Sequence, residues 1–81
     1  MFVSVRLFAR LREIAGAQEL RIEVPDAATV ADAWSALTGR YSGLTDYTSS
    51  VSCAVNEEYA RMTTALGDGD EVAFLPPVSG G

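Results

Sequence analysis

The sequence predicts a two-layer α+β roll in which a mixed sheet packs on one main helix. Three observations point there. Apolar residues alternate with a period of two near both ends of the chain and twice between them, the mark of half-buried strands. The period lengthens to three- and four-residue steps over residues 30–41, the stripe of an amphipathic helix. The order is therefore strand, strand, long helix, strand, short strand, strand. A short first connection suits antiparallel neighbours, whereas a long helix suits a crossover between strands that run parallel. The helix covers one face of the sheet and leaves the other, or part of it, for a partner.

Each element has a local reason. In residues 1–8, Val3, Val5 and Leu7 share one face while Ser4 and Arg6 share the other. Good helix formers then fill residues 9–15, and Gly16 offers a stop. Residues 19–24 alternate again, placing Leu20, Ile22 and Val24 toward the core until Pro25 ends the strand. Thr29 reads as a helix N-cap, with Asp32 as a weaker capping-box partner. The helical stripe is Val30, Ala33, Trp34, Leu37 and Tyr41, with Trp34 as its anchor. Gly39 and Gly43 bracket a frayed end, and residues 45–50 read as a polar loop. Residues 51–55 form a third strand, Asn56-Glu57-Glu58 a turn, and residues 59–62 a short edge strand. Leu66 plugs the core before Gly67-Asp68-Gly69-Asp70 turns the chain into the last strand, residues 71–75. That acidic turn lacks the further ligand positions of a calcium loop.

Composition narrows the function. A chain of 81 residues with 48% apolar content makes one small packed domain. No apolar run approaches the ~18 residues that span a bilayer. The alternating start shows no signal peptide, so the cytoplasm is the expected compartment. The single cysteine, Cys53, sits in phase with Val51 and Val55 and reads as a small core residue. All six basic residues are arginine, and there is no histidine. Arginine does not deprotonate in proteins, so the usual acid–base and triad arrangements, amine nucleophiles and histidine or paired-cysteine zinc sites are all missing. The chain is a poor candidate for an enzyme on its own. A net charge of −5 disfavours nucleic acid and suits docking onto basic protein surfaces.

The last residues supply the positive signal. After residues 71–75, Pro76 and Pro77 stiffen the exit, and Val78, Ser79, Gly80 and Gly81 follow. Residues 76–81 read as a flexible tail on a body of residues 1–75. Fully extended, the tail reaches roughly 20 Å at about 3.3 Å per residue. Its glycines pass where a Cβ would clash, and its prolines reduce the freedom lost on insertion.

The run from Gly67 to Gly81 resembles the closing segment of the ubiquitin-like β-grasp sulfur carriers that form the small subunits of molybdopterin synthase. Phe8-Ala9-x-x-Arg12-Glu13, Thr29-Val30 and Ala54-Val55-Asn56 extend the likeness along the whole chain. The resemblance implies a β-grasp fold and a non-catalytic subunit that binds no cofactor. The resemblance further implies that an activating enzyme adenylates the Gly81 carboxylate with ATP and that a sulfur donor protein converts it to a thiocarboxylate. It implies that the tail then enters the large subunit, in an expected heterotetramer, where its sulfur attacks a cyclic pyranopterin precursor to build the molybdenum-holding dithiolene. Phe8, Tyr59 and Leu75 fall where such carriers place apolar contacts with both partners, and Arg12 where a polar contact is expected. The plain alternatives are core positions for Phe8 and Leu75 and a solvated helix residue for Arg12. Tyr59 departs from the aliphatic residue expected there. The same tail also suits sulfur delivery to thiamine, cysteine or transfer-RNA thiolation, or a ubiquitin-like protein modifier.

Overall fold

Val3, Val5 and Leu7 are all buried, and the alternation that predicted a strand becomes β1 (Phe2–Leu7) in the computed structural model, which describes residues 1–77. The remaining elements are α1 (Ala9–Ala15), β2 (Glu19–Glu23), α2 (Val30–Arg40), β3 (Ser52–Val55), β4 (Glu58–Ala60) and β5 (Glu71–Leu75), with a 3-10 turn over Ser42–Tyr47. The sheet order is β2-β1-β5-β3-β4. Only the β1–β5 pair is parallel, so the sheet is mixed and the fold is the expected α+β roll. α2 carries the chain between β2 and β3, which run in the same direction but flank the β1–β5 pair instead of touching.

Register decides what the helix meets. Val5 lies opposite both Leu20 and Val72, and Leu7 opposite Phe74, which stacks the large apolar side chains on one face. α2 lays Val30, Ala33, Trp34 and Leu37 onto them. Trp34 and Phe74 meet with ring centroids 4.9 Å apart at a tilt of 53°. The indole N–H donates to Thr48 Oγ1 at 3.0 Å, so the ring is buried without stranding its one polar group. Burying a side chain of this class stabilises the fold by about 1.5–3 kcal/mol. At the start of α2, Thr29 N–H donates to the Asp32 carboxylate at 2.8 Å and Asp32 N–H donates back to Thr29 Oγ1 at 3.4 Å. The capping box therefore forms with Asp in place of the longer Glu.

Several expectations need correction. The stretch read as a polar loop, 45–50, overlaps a 3-10 turn that begins at Ser42 and buries Leu44 completely. A lone leucine in a polar run has no period to reveal it. Gly43 lets that turn close on α1, since a Cβ there would stand 2.9 Å from Ile14 Cγ2. Leu20 and Tyr41 are half-buried and pack against the core, as their places in the apolar pattern predict. β4 is Glu58–Ala60 instead of 59–62, because Asn56 and Glu57 alone make the hairpin turn, at φ 49° and 71°. Cys53 is buried as expected. Its S–H donates to Ala60 O at 3.2 Å, and burial pushes the thiol up from its ordinary value.

The Gly67–Asp70 turn is held by its own acids. Asp70 accepts from Gly67 N–H at 2.7 Å and from Asn56 Nδ2 at 3.1 Å, and Asp68 accepts from Phe2 N–H at 2.9 Å. The Gly67 N–H, then the Asn56 amide, hold the Asp70 carboxyl below its usual range. A native value below the unfolded value of about 3.9 means the contribution is complete above that pH and disappears as pH falls through the native value. The expected result is a melting temperature that drops less steeply on acidification in Asp70→Asn than in the wild type, measured by circular dichroism from neutral pH to about pH 2.

Candidate docking site and tail exit

The face of the sheet turned away from α2 carries the outward half of each strand's alternation. Across it, register aligns Arg6 with Ala73, Ala73 with Ala54, and Ala54 with Tyr59. Two alanines at neighbouring positions of central strands leave the sheet surface low, and larger side chains stand around them. The result is a groove of about 270 Å³ whose floor is Ala54 and Ala73.

Its walls are apolar. Phe8 is 37% exposed and Tyr59 86% exposed, while Leu75 is half-buried at the end of β5. Phe8 continues the extended backbone of β1 at φ −120° and ψ 151°, so the period of two that buries Leu7 turns it outward. Ala9 begins α1 at φ 52°, a left-handed conformation that costs an L-residue about 1–2 kcal/mol. Tyr59 stands on the edge strand, with open solvent beyond. Charge gathers on the rim. Arg6 lies 3.8 Å from the Glu71 carboxylate and 5.6 Å from the Phe8 ring centroid, and Glu57 lines the groove from the β3–β4 turn.

Three of the four residues marked for partner contact, Phe8, Tyr59 and Leu75, thus line one groove, and neither Phe8 nor Leu75 belongs to the buried core. Arg12 does not line it. It is exposed on α1, where its carbonyl accepts the capping N–H of Gly16. Ala54, Ala73, Arg6, Glu57 and Glu71 were not singled out from the sequence. The signal was there in part, since the outward phase of β5 selects Glu71, Ala73 and Leu75, but joining them to Ala54 and Arg6 required the strand pairing.

The groove ends where the tail begins. Leu75 is followed directly by Pro76, half-buried, and Pro77, exposed. β5 is the central strand, paired on both sides, so the base of the tail is fixed by two ladders of hydrogen bonds. Val78, Ser79, Gly80 and Gly81 lie outside the described residues. The groove offers apolar burial and rim charge, and the chain's one thiol, Cys53, is buried in the core on the opposite face.

Known proteins match the chain along its whole length. A molybdopterin synthase sulfur carrier subunit from Chlamydomonas reinhardtii is 39% identical over 100% of both chains. The small archaeal modifier protein 1 of Haloferax volcanii is 38% identical over 94% of this chain and 97% of its own. A crystal structure of that modifier matches with a TM-score of 0.90 at 36% identity, covering 100% of both. A chain from a complex of subunits 1 and 2 of molybdopterin-converting factor from Helicobacter pylori matches with a TM-score of 0.68 at 27% identity, again over 100% of both. With an end-to-end match to such carriers, the shared roll, and the ThiS family model covering residues 5–81, this chain belongs to the ThiS family of small sulfur carriers.

Proposed function

We propose that this protein is the sulfur-carrier subunit of molybdopterin synthase and acts through the carboxylate of Gly81. The observation that carries the reading is the end-to-end similarity, at 39% identity, to a carrier subunit of that enzyme. The chemistry suits a chain without histidine or lysine. A carboxylate is a poor electrophile until it holds a good leaving group. In an activating enzyme, a Gly81 carboxylate oxygen attacks the α-phosphate of ATP and expels pyrophosphate, leaving an acyl-adenylate. A sulfur nucleophile from a donor protein adds to the acyl carbon and AMP departs. With a donor persulfide the adduct is an acyl disulfide; a second thiol of the activating machinery attacks the donor's own sulfur, forming a disulfide and releasing the thiocarboxylate. That anion is nucleophilic near neutral pH and needs no base from this chain.

The folded body contributes presentation. Phe8, Tyr59 and Leu75 bury against the activating enzyme and later against the large subunit, and Arg12 supplies a polar contact from α1, outside the groove. Pro76 and Pro77 keep the tail extended, so that Val78, Ser79, Gly80 and Gly81 thread into the partner's site at a smaller entropic penalty. The test is reconstitution of the loaded chain with a molybdopterin synthase large subunit and the pyranopterin precursor. Dithiolene product formed in proportion to carrier consumed is expected; a loaded carrier that transfers no sulfur overturns the reading.

A second reading, a ubiquitin-like modifier joined through Gly81 to target lysines, draws support from the 0.90 TM-score to the archaeal modifier. It predicts denaturant-resistant conjugates in cells, visible as gel-shifted bands that vanish when Gly81 is deleted.

A further inference from the structure

Glu57 stands in a conformation that its own side chain does not favour. Together with Asn56 it forms a two-residue hairpin turn with both residues at positive φ, 49° and 71°. Such turns select Asn-Gly, because glycine carries no Cβ penalty at the second position. Asn56 has a structural reason to be there. Its Oδ1 accepts from Glu71 N–H at 3.0 Å, and its Nδ2 donates to Asp70 at 3.1 Å. Glu57 has no such tie. Among the described residues its carboxylate takes part in no hydrogen bond or ion pair, while the groove's other acid, Glu71, is matched by Arg6. Yet Glu57 lines the groove beside Tyr59 and Ala54. A strained, unmatched carboxylate at the rim of an apolar depression is a feature that folding alone does not explain.

We propose that Glu57 is a specificity residue of this groove, recognising a partner segment that seats a bulky apolar side chain on Ala54 and Ala73 and sets an arginine or lysine against the Glu57 carboxylate. Charge complementarity selects that occupant. The groove carries two acids against one base, on a chain with a net charge of −5. A cation brought to this rim would lose part of its water beside the Tyr59 ring, which strengthens its attraction to the carboxylate. The inference rests on the proposed role as a carrier that docks through this face.

Two substitutions separate charge from backbone strain. Glu57→Gln keeps the side chain's size and the strained turn but removes the charge, whereas Glu57→Gly removes both. Binding to a purified molybdopterin synthase large subunit is measured by calorimetry, alongside melting temperature. The expected result is a Kd about 3- to 10-fold weaker for both variants at low salt, converging on the wild-type value near 0.5 M salt. Glu57→Gly should also melt a few degrees higher than the wild type, so that stability and docking move in opposite directions. Equal binding by all three proteins overturns the role of Glu57 and leaves the carrier reading standing. Failure of the wild type itself to bind overturns the carrier reading and the inference with it.

Discussion

Phe74→Ala is expected to remove most of the protein's stability, while a substitution one residue earlier, Ala73→Tyr, is expected to leave the fold intact and weaken docking. Phe74 is fully buried, lies between Leu7 and Cys53 in the sheet, and stacks on Trp34. Truncating a buried phenylalanine costs about 3–5 kcal/mol, the transfer term plus the cavity it leaves. A small domain holds only about 5–15 kcal/mol in total, and a chain of this length sits toward the lower end. Urea titration followed by Trp34 fluorescence measures the loss. A midpoint shift worth less than about 1 kcal/mol would mean that the stack on Trp34 is not a principal element of the core.

Ala73 faces the other way. It is half-buried on the groove floor, with Ala54 and Arg6 across the neighbouring strands. Tyrosine is favoured in strands and has room above the sheet, so the melting temperature should change little. Its ring fills the depression that a partner's apolar side chain would occupy. Losing the burial of one such side chain, about 1.5–3 kcal/mol, weakens binding roughly 10- to 100-fold. Calorimetry against the large subunit and the activating enzyme reads the effect. Undiminished binding to both would place the docking surface elsewhere on the molecule.

The contrast between these neighbours shows what the sequence discloses and what it withholds. Alternation in residues 71–75 separates Val72 and Phe74 from Glu71, Ala73 and Leu75, since a strand's side chains have a period of two, but by itself left a core position open for Leu75. The apolar period placed α2, and Thr29 with Asp32 fixed its start to the residue. Local patterns of this kind are written in adjacent letters. The groove is not, because it arises from Ala54, Ala73 and Arg6 lying side by side through pairings between distant segments. Leu44 stayed hidden for a related reason, as a single buried residue in a short 3-10 turn has no periodicity. Backbone strain was also invisible. Nothing in the letters of Ala9 or Glu57 announces a positive φ, and those two positions start α1 directly behind Phe8 and set a carboxylate on the rim.

On the proposed reading, labour divides between body and tail: the packed face holds the central strand in place, the open face would offer a surface to partners, and the strand between them runs straight into Pro76. On this account no side chain performs the reaction, and the folded body determines where one main-chain carbonyl carbon is delivered.

Intact-mass spectrometry with fragmentation tests that claim most directly. After incubation with the activating enzyme, ATP and a sulfur donor, the account predicts a mass gain equal to replacing one oxygen by sulfur, confined to the fragment that ends in Gly81, and no gain in a chain lacking Gly81. Sulfur found on any side chain, Cys53 included, or loading that persists without Gly81, would contradict it.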